Sequence, residues 1–153
     1  MSPKTLVALF AALTACGDAS TSSTGAASSA PTASAASAVK GPQPFDAKLV
    51  VGPKYKAGED AFVTLQIDAK DGYHVNPEYP IKFTLTAPEA GVEYPNPVVR
   101  DAKRTETQAT LAVPFKVASP GEKKVGGEAS LSVCTPDKCV MAKVPLEATV
   151  VVE

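Results

Sequence analysis

Residues 61–68 read AFVTLQID, and this short stretch decides the fold. In an extended chain Val63, Leu65 and Ile67 fall on one side, and Phe62, Thr64, Gln66 and Asp68 on the other. A helix would scatter those three aliphatic residues around its surface. A strand lying on a core collects them. The same period of two recurs outward from this point, at residues 45–51 (FDAKLVV), 81–87 (IKFTLTA), 92–100, 107–117 (TQATLAVPFKV), 124–134 and 139–152 (CVMAKVPLEATVVV). Turn-forming residues separate the runs: Lys56-Ala57-Gly58-Glu59, Asp71-Gly72, Ala90-Gly91, Pro120-Gly121 and Thr135-Pro136-Asp137-Lys138. About seven short strands without a helical period predict an all-β protein, an immunoglobulin-like β-sandwich. There is no Trp and no widely spaced Cys pair, so the usual mark of true immunoglobulin domains is missing. Gly126-Gly127, inside the strand of residues 124–134, reads as a bulge.

The pattern begins near residue 41. Before it, residues 1–4 form a short basic start and residues 5–13 (TLVALFAAL) an apolar run. A membrane-spanning helix needs about 20 apolar residues, so the run fits a cleaved signal peptide better than a span. It ends in Leu13-Thr14-Ala15-Cys16, which resembles the lipobox of bacterial lipoproteins. That resemblance implies cleavage after residue 15 and a lipid on the Cys16 thiol. The expectation is a signal peptide over residues 1–15 and a lipidated, flexible tether over residues 16–40, with the sandwich over residues 41–153. The tether is rich in Ala, Ser and Thr and has little to bury. A coil of that length reaches roughly 25–30 Å. The expected location is therefore a bacterial membrane, through a lipid anchor, facing the periplasm or cell envelope, where cysteines oxidise.

Composition narrows the chemistry. Lys and Arg number 15 against 16 Asp and Glu, which gives no basic surface for nucleic acid. A single His cannot build a multi-histidine metal site, and no paired carboxylates or Gly-rich phosphate loop stand out. A monomer without bound cofactor is expected. With Cys16 assigned to lipid, Cys134 and Cys139 remain as a pair bracketing a four-residue turn. Facing residues at the base of a hairpin have Cα atoms close enough for a disulfide. A loop of about six residues contributes only about 2 kcal/mol, and an exposed disulfide tends to be labile. Lys138 would favour a thiolate at Cys139 and Asp137 oppose it. Spacing alone leaves open whether the bond stiffens a loop tip or exchanges electrons.

Three segments carry a family resemblance: residues 72–85 (GYHVNPEYPIKFTL), the Pro-Phe of residues 107–117, and residues 120–146 (PGEKKVGGEASLSVCTPDKCVMAKVPL). Together they resemble the N-terminal periplasmic domain of the thiol:disulfide interchange protein DsbD, in a standalone, lipid-anchored version. The likeness covers nearly all of residues 41–153. It implies an immunoglobulin-like sandwich that relays electrons through Cys134 and Cys139, with Cys139 forming the mixed disulfide. The implied partners are thioredoxin-like or DsbD-type membrane redox proteins. It also places Tyr73 and His74 near the cysteines, where His74 could act as a base and Tyr73 or Tyr79 could cover the bond. Each of these three has a plainer role as well, as a local hydrogen-bonding residue or a core aromatic.

The sequence departs from the family in three ways. Val140-Met141-Ala142 stands where prolines often follow the second cysteine. Residues 100–107 (RDAKRTET) lack the aromatic of the family's shielding loop. The transmembrane and thioredoxin-like domains do not occur in this sequence, so electrons are expected from a separate chain. Two other functions compete. One is a non-enzymatic binding module with a structural hairpin disulfide. The other is Cu(I) handling by Cys134, Cys139, Met141 and His74, all soft or borderline ligands.

Overall fold

The computed structural model of the protein describes residues 42–153; the expected signal peptide, lipid site at Cys16 and tether lie outside the described residues. Period-two stretches became strands where the pattern was strong. β1 (Phe45–Val50), β2 (Asp60–Ala69), β4 (Lys82–Leu85), β8 (Gln108–Val117), β9 (Gly121–Cys134) and β10 (Cys139–Val152) form the frame. Two-residue strands complete it: β3 (His74–Val75), β5 (Val92–Glu93), β6 (Val98–Val99) and β7 (Lys103–Arg104). One sheet runs β1-β2-β8-β5 with β7 also on β8, and the other runs β10-β9-β4-β6 with β3 also on β9. Every strand pair is antiparallel. The protein is an all-β, immunoglobulin-like sandwich.

The inner faces are those the alternation selects. Val63, Leu65 and Ile67 of β2 are buried against Leu111, Val113 and Phe115 of β8, and against Phe83, Leu131 and Val133 of the facing sheet. Each such fully buried side chain contributes about 1.5–3 kcal/mol. Phe62, on the outer face of β2, is 61% exposed. Tyr55 closes one side of the sandwich: its backbone bridges Val152, and its ring meets Phe115 edge-on at 5.1 Å.

Two details differ from the sequence expectation. Residues 92–100 were expected as one strand, but the chain changes sheets within them. β5 pairs with β8 in one sheet and β6 with β4 in the other. Pro95 and Pro97 lie between and have no N–H for a ladder. The other two prolines expected inside strands, Pro114 and Pro145, sit where their missing N–H removes no bond. Pro114 faces the gap in β8 between its pairings with β7 and β5, and Pro145 lies on the outer edge of β10.

The second difference corrects the bulge at Gly126-Gly127. The β9–β10 register passes through Gly126↔Glu147 and Gly127↔Leu146 without an extra residue. The reason for glycine is close approach. A Cβ on Gly127 would stand 2.8 Å from Cε1 of Phe83 and closer still to the Thr84 carbonyl oxygen. The Phe83 ring, fully buried, occupies the space a side chain would need.

Candidate functional site

The site is built around the last residue of β9. On one side of it, β10 returns in register so that Cys139 faces Cys134; on the other, β3 places His74 opposite the same residue. Facing residues of antiparallel strands point to the same side of the sheet. His74, Cys134 and Cys139 thus form a row across three neighbouring strands, on the outer face. Their neighbours Val75, Val133 and Val140 point inward to the core.

The turn sets the geometry of the pair. The Thr135 N–H donates to the Lys138 carbonyl at 2.8 Å, and the Thr135 hydroxyl accepts from the Lys138 N–H at 3.3 Å. Residues 135 and 138 are thus the hydrogen-bonded pair, and antiparallel alternation makes Cys134 and Cys139 the next, narrow pair. Their Cα atoms are 4.0 Å apart and the sulfurs are bonded at 2.07 Å. The disulfide expected from the spacing is present.

The two cysteines differ in environment. Cys134 is 6% exposed, whereas Cys139 is exposed on the first residue of β10. Ser132, one step back on the same face and almost fully buried, has its hydroxyl 4.0 Å from the Cys134 sulfur, a weak contact. The chain beyond β3 holds this side in place. The Asn76 N–H donates to the Ser132 carbonyl at 3.0 Å, and the Asn76 side chain accepts from the N–H groups of Glu78 and Tyr79.

The turn that delivers His74 uses Asp71 and Gly72, both left-handed at φ 53° and 77°, a conformation that Asp-Gly adopts readily. Tyr73 is partly buried and packs against the core. The Lys138 ammonium lies over the Tyr73 ring, 5.7 Å from its centre. Tyr79 is half-buried in the loop after β3. Residues 100–107, aligned by resemblance with a shielding loop, instead tie down the β3 segment. The Val75 N–H donates to the Glu106 carbonyl at 2.8 Å, and Arg104 donates to the Pro77 carbonyl at 2.7 Å.

Met141 follows two residues after Cys139 on the same face and is 71% exposed. The four residues considered for Cu(I) therefore share a face, with both cysteine sulfurs bonded to each other. Among the described residues, no three His, Cys, Asp or Glu side chains are grouped to hold a metal ion. Sequence reasoning missed the two buried serines of this face, Ser130 and Ser132. Their alternation with Ala129, Leu131 and Val133 is that of an ordinary half-exposed strand, and burial of its outward positions is not a property of the local sequence.

No protein-family model matches the chain, and no curated protein matches it. Among solved structures it is similar to AggA, the major subunit of aggregative adherence fimbriae type I from Escherichia coli. The TM-score is 0.36 and the identity 10%, over 72% of this chain and 97% of that one.

Proposed function

We propose that the protein exchanges disulfides with thioredoxin-like or DsbD-type membrane redox partners through Cys134 and Cys139. On this reading it acts as a standalone counterpart of the DsbD N-terminal domain, exported and held to a membrane by a lipid on Cys16. One observation carries the proposal: the bond sits at a hairpin tip with one sulfur-bearing residue buried and the other exposed. A staple needs no such asymmetry. A relay does, because the partner must reach one sulfur while the other departs.

In the reductive direction a partner thiolate attacks the Cys139 sulfur and the Cys134–Cys139 bond breaks. The bonding pair leaves with Cys134 as a thiolate, which takes up a proton. The partner's second thiolate then attacks the partner's own sulfur of the mixed disulfide and releases Cys139. Two electrons pass to this protein and the partner ends oxidised. A proton donor beside the departing sulfur speeds its departure. His74 is the residue whose strand position faces Cys134, and it takes that role here.

The test is the reduction potential of the pair, from equilibration of the protein in glutathione buffers with thiol alkylation and mass readout. The expected value lies in the range of exchange proteins, about −120 to −270 mV. A value well below about −300 mV, where structural disulfides fall, would overturn the proposal and leave a binding module with a stapled hairpin.

A further inference from the structure

Resting on that exchange reading, we infer that the outer edge of β10 from Cys139 to Lys143 is a docking strand. An extended, uncharged segment of the redox partner adds to the sheet there as one more strand. The inference comes from accounting for backbone hydrogen bonds. β10 has a strand partner on one side, β9, and in an antiparallel ladder alternate residues bond inward and outward. The turn fixes the phase. Residues 135 and 138 bond to each other, so Val140 and Ala142 bond to β9, while Cys139, Met141 and Lys143 point their N–H and C=O groups away from it. The far end of the strand obeys the same phase: the carbonyl of Val151 accepts from the Tyr55 N–H, and the Glu153 N–H donates to the Tyr55 carbonyl.

Proteins usually blunt such an edge. Here the segment at Tyr55 covers the end near Val151, and Pro145, with no N–H, interrupts the middle. Between Pro145 and the disulfide, the outward groups of Cys139, Met141 and Lys143 have no backbone partner among the described residues. Cys139, Met141 and Lys143 are all exposed. Lys143 pairs with Glu128 at 3.2 Å, so the edge carries no unpaired lysine, and Met141 presents a thioether; this edge suits an uncharged segment with an apolar residue beside Met141.

Strand addition also solves the geometry of the exchange. A segment paired to this edge lies on the far side of Cys139 from Cys134. A facing residue there has its Cα about 5.5 Å from that of Cys139, within disulfide reach. Incoming sulfur, Cys139 sulfur and Cys134 sulfur then lie in one row across the sheet, the alignment that in-line displacement requires.

The test uses Met141→Pro. Its lost N–H points outward, so the variant keeps the β9 ladder, as Pro145 already does. With reduced thioredoxin as the probe, the rate constant for reducing the disulfide is expected to fall about tenfold, which equals about 1.4 kcal/mol. With dithiothreitol, which needs no docking, the rate is expected to be unchanged. Met141→Ala, which keeps the N–H, is expected to stay within about twofold of the parent protein in both assays. Equal slowing of both reductants by Met141→Pro, no slowing by either, or slowing by Met141→Ala as great as by Met141→Pro would each overturn the inference. A parent protein reduced by dithiothreitol but not by thioredoxin would overturn the exchange reading, and this inference with it. Should Met141→Pro not fold, amide exchange decides. In Cys134→Ser trapped as a mixed disulfide with thioredoxin, the N–H groups of Met141 and Lys143 are expected to exchange at least about tenfold more slowly than in the free protein. Unchanged exchange overturns strand addition.

Discussion

Reducing the Cys134–Cys139 bond should cost the fold about 2 kcal/mol and no more. The two residues are five apart in sequence, and closing a loop of that size removes little freedom from the unfolded chain, roughly 2 kcal/mol on the loop-entropy account. Two structural features keep the native side of the balance intact when the bond opens. The turn is held by its own hydrogen bonds between Thr135 and Lys138. The ladder behind it runs through all 14 residues of β10, from Cys139↔Cys134 to Val152↔Gly121. Neither needs the sulfurs to be joined.

The assay is urea unfolding of the oxidised protein and of the same protein in a phosphine reductant. With a slope of about 2 kcal/mol per molar, the midpoint should fall by about 1 M while the slope stays the same, because so small a loop hardly alters the surface exposed on unfolding. A loss of about 4 kcal/mol or more, or a fall in slope, would refute the reasoning. The hairpin would then depend on its disulfide, and reduction would unfold part of the sheet. A relay cannot work that way, since it must survive in both redox states with its docking surface formed.

Two further outcomes follow from the same packing. Gly127→Ala should destabilise the protein by about 3 kcal/mol, because the new methyl would meet the Thr84 carbonyl and the Phe83 ring, whereas Gly126→Ala, 3.0 Å from the Leu146 carbonyl, should cost about 1 kcal/mol or less; thermal melting of both variants separates these. In single-cysteine proteins, the exposed thiol of Cys139 (in Cys134→Ser) should react with a maleimide at least about tenfold faster than the buried thiol of Cys134 (in Cys139→Ser), and equal rates would remove the assignment of Cys139 as the attacked sulfur.

How much of this could be read beforehand depends on how local each feature is. The alternation of Val63, Leu65 and Ile67 is a local fact, and it gave β2 nearly to its ends. The hairpin of Cys134 and Cys139 was equally visible, since two strand patterns and a proline-bearing turn adjoin each other in the chain. β3 and β7 could not be found by period, for two residues have none; they are strands because of what lies beside them. The position of His74 near the cysteines came from family resemblance, but its register opposite the buried Cys134 is a property of pairing between segments far apart in sequence. The sheet change at Pro95 and Pro97 and the Phe83 ring over Gly127 are likewise long-range. Lys138 was read as a neighbour of Cys139, which it is in sequence, while its ammonium lies over Tyr73.

That last point shifts the explanation of the asymmetry from charge to strand order. Across the outer face the order is His74, Cys134, Cys139 and then open edge. An incoming thiolate cannot reach Cys134 along the row from the His74 side, because β3 occupies that flank of β9. Along the other direction it meets Cys139 first. On the exchange reading, the choice of attacked sulfur follows from β9 being an interior strand and β10 an edge strand, whatever residue stands at position 138. On the same reading, the order puts the departing sulfur on the residue that faces His74, the one histidine of the chain. A pair on two interior strands would be shielded from partners, and a pair on two edges would give them no preferred sulfur. One cysteine on each kind of strand gives access and direction together.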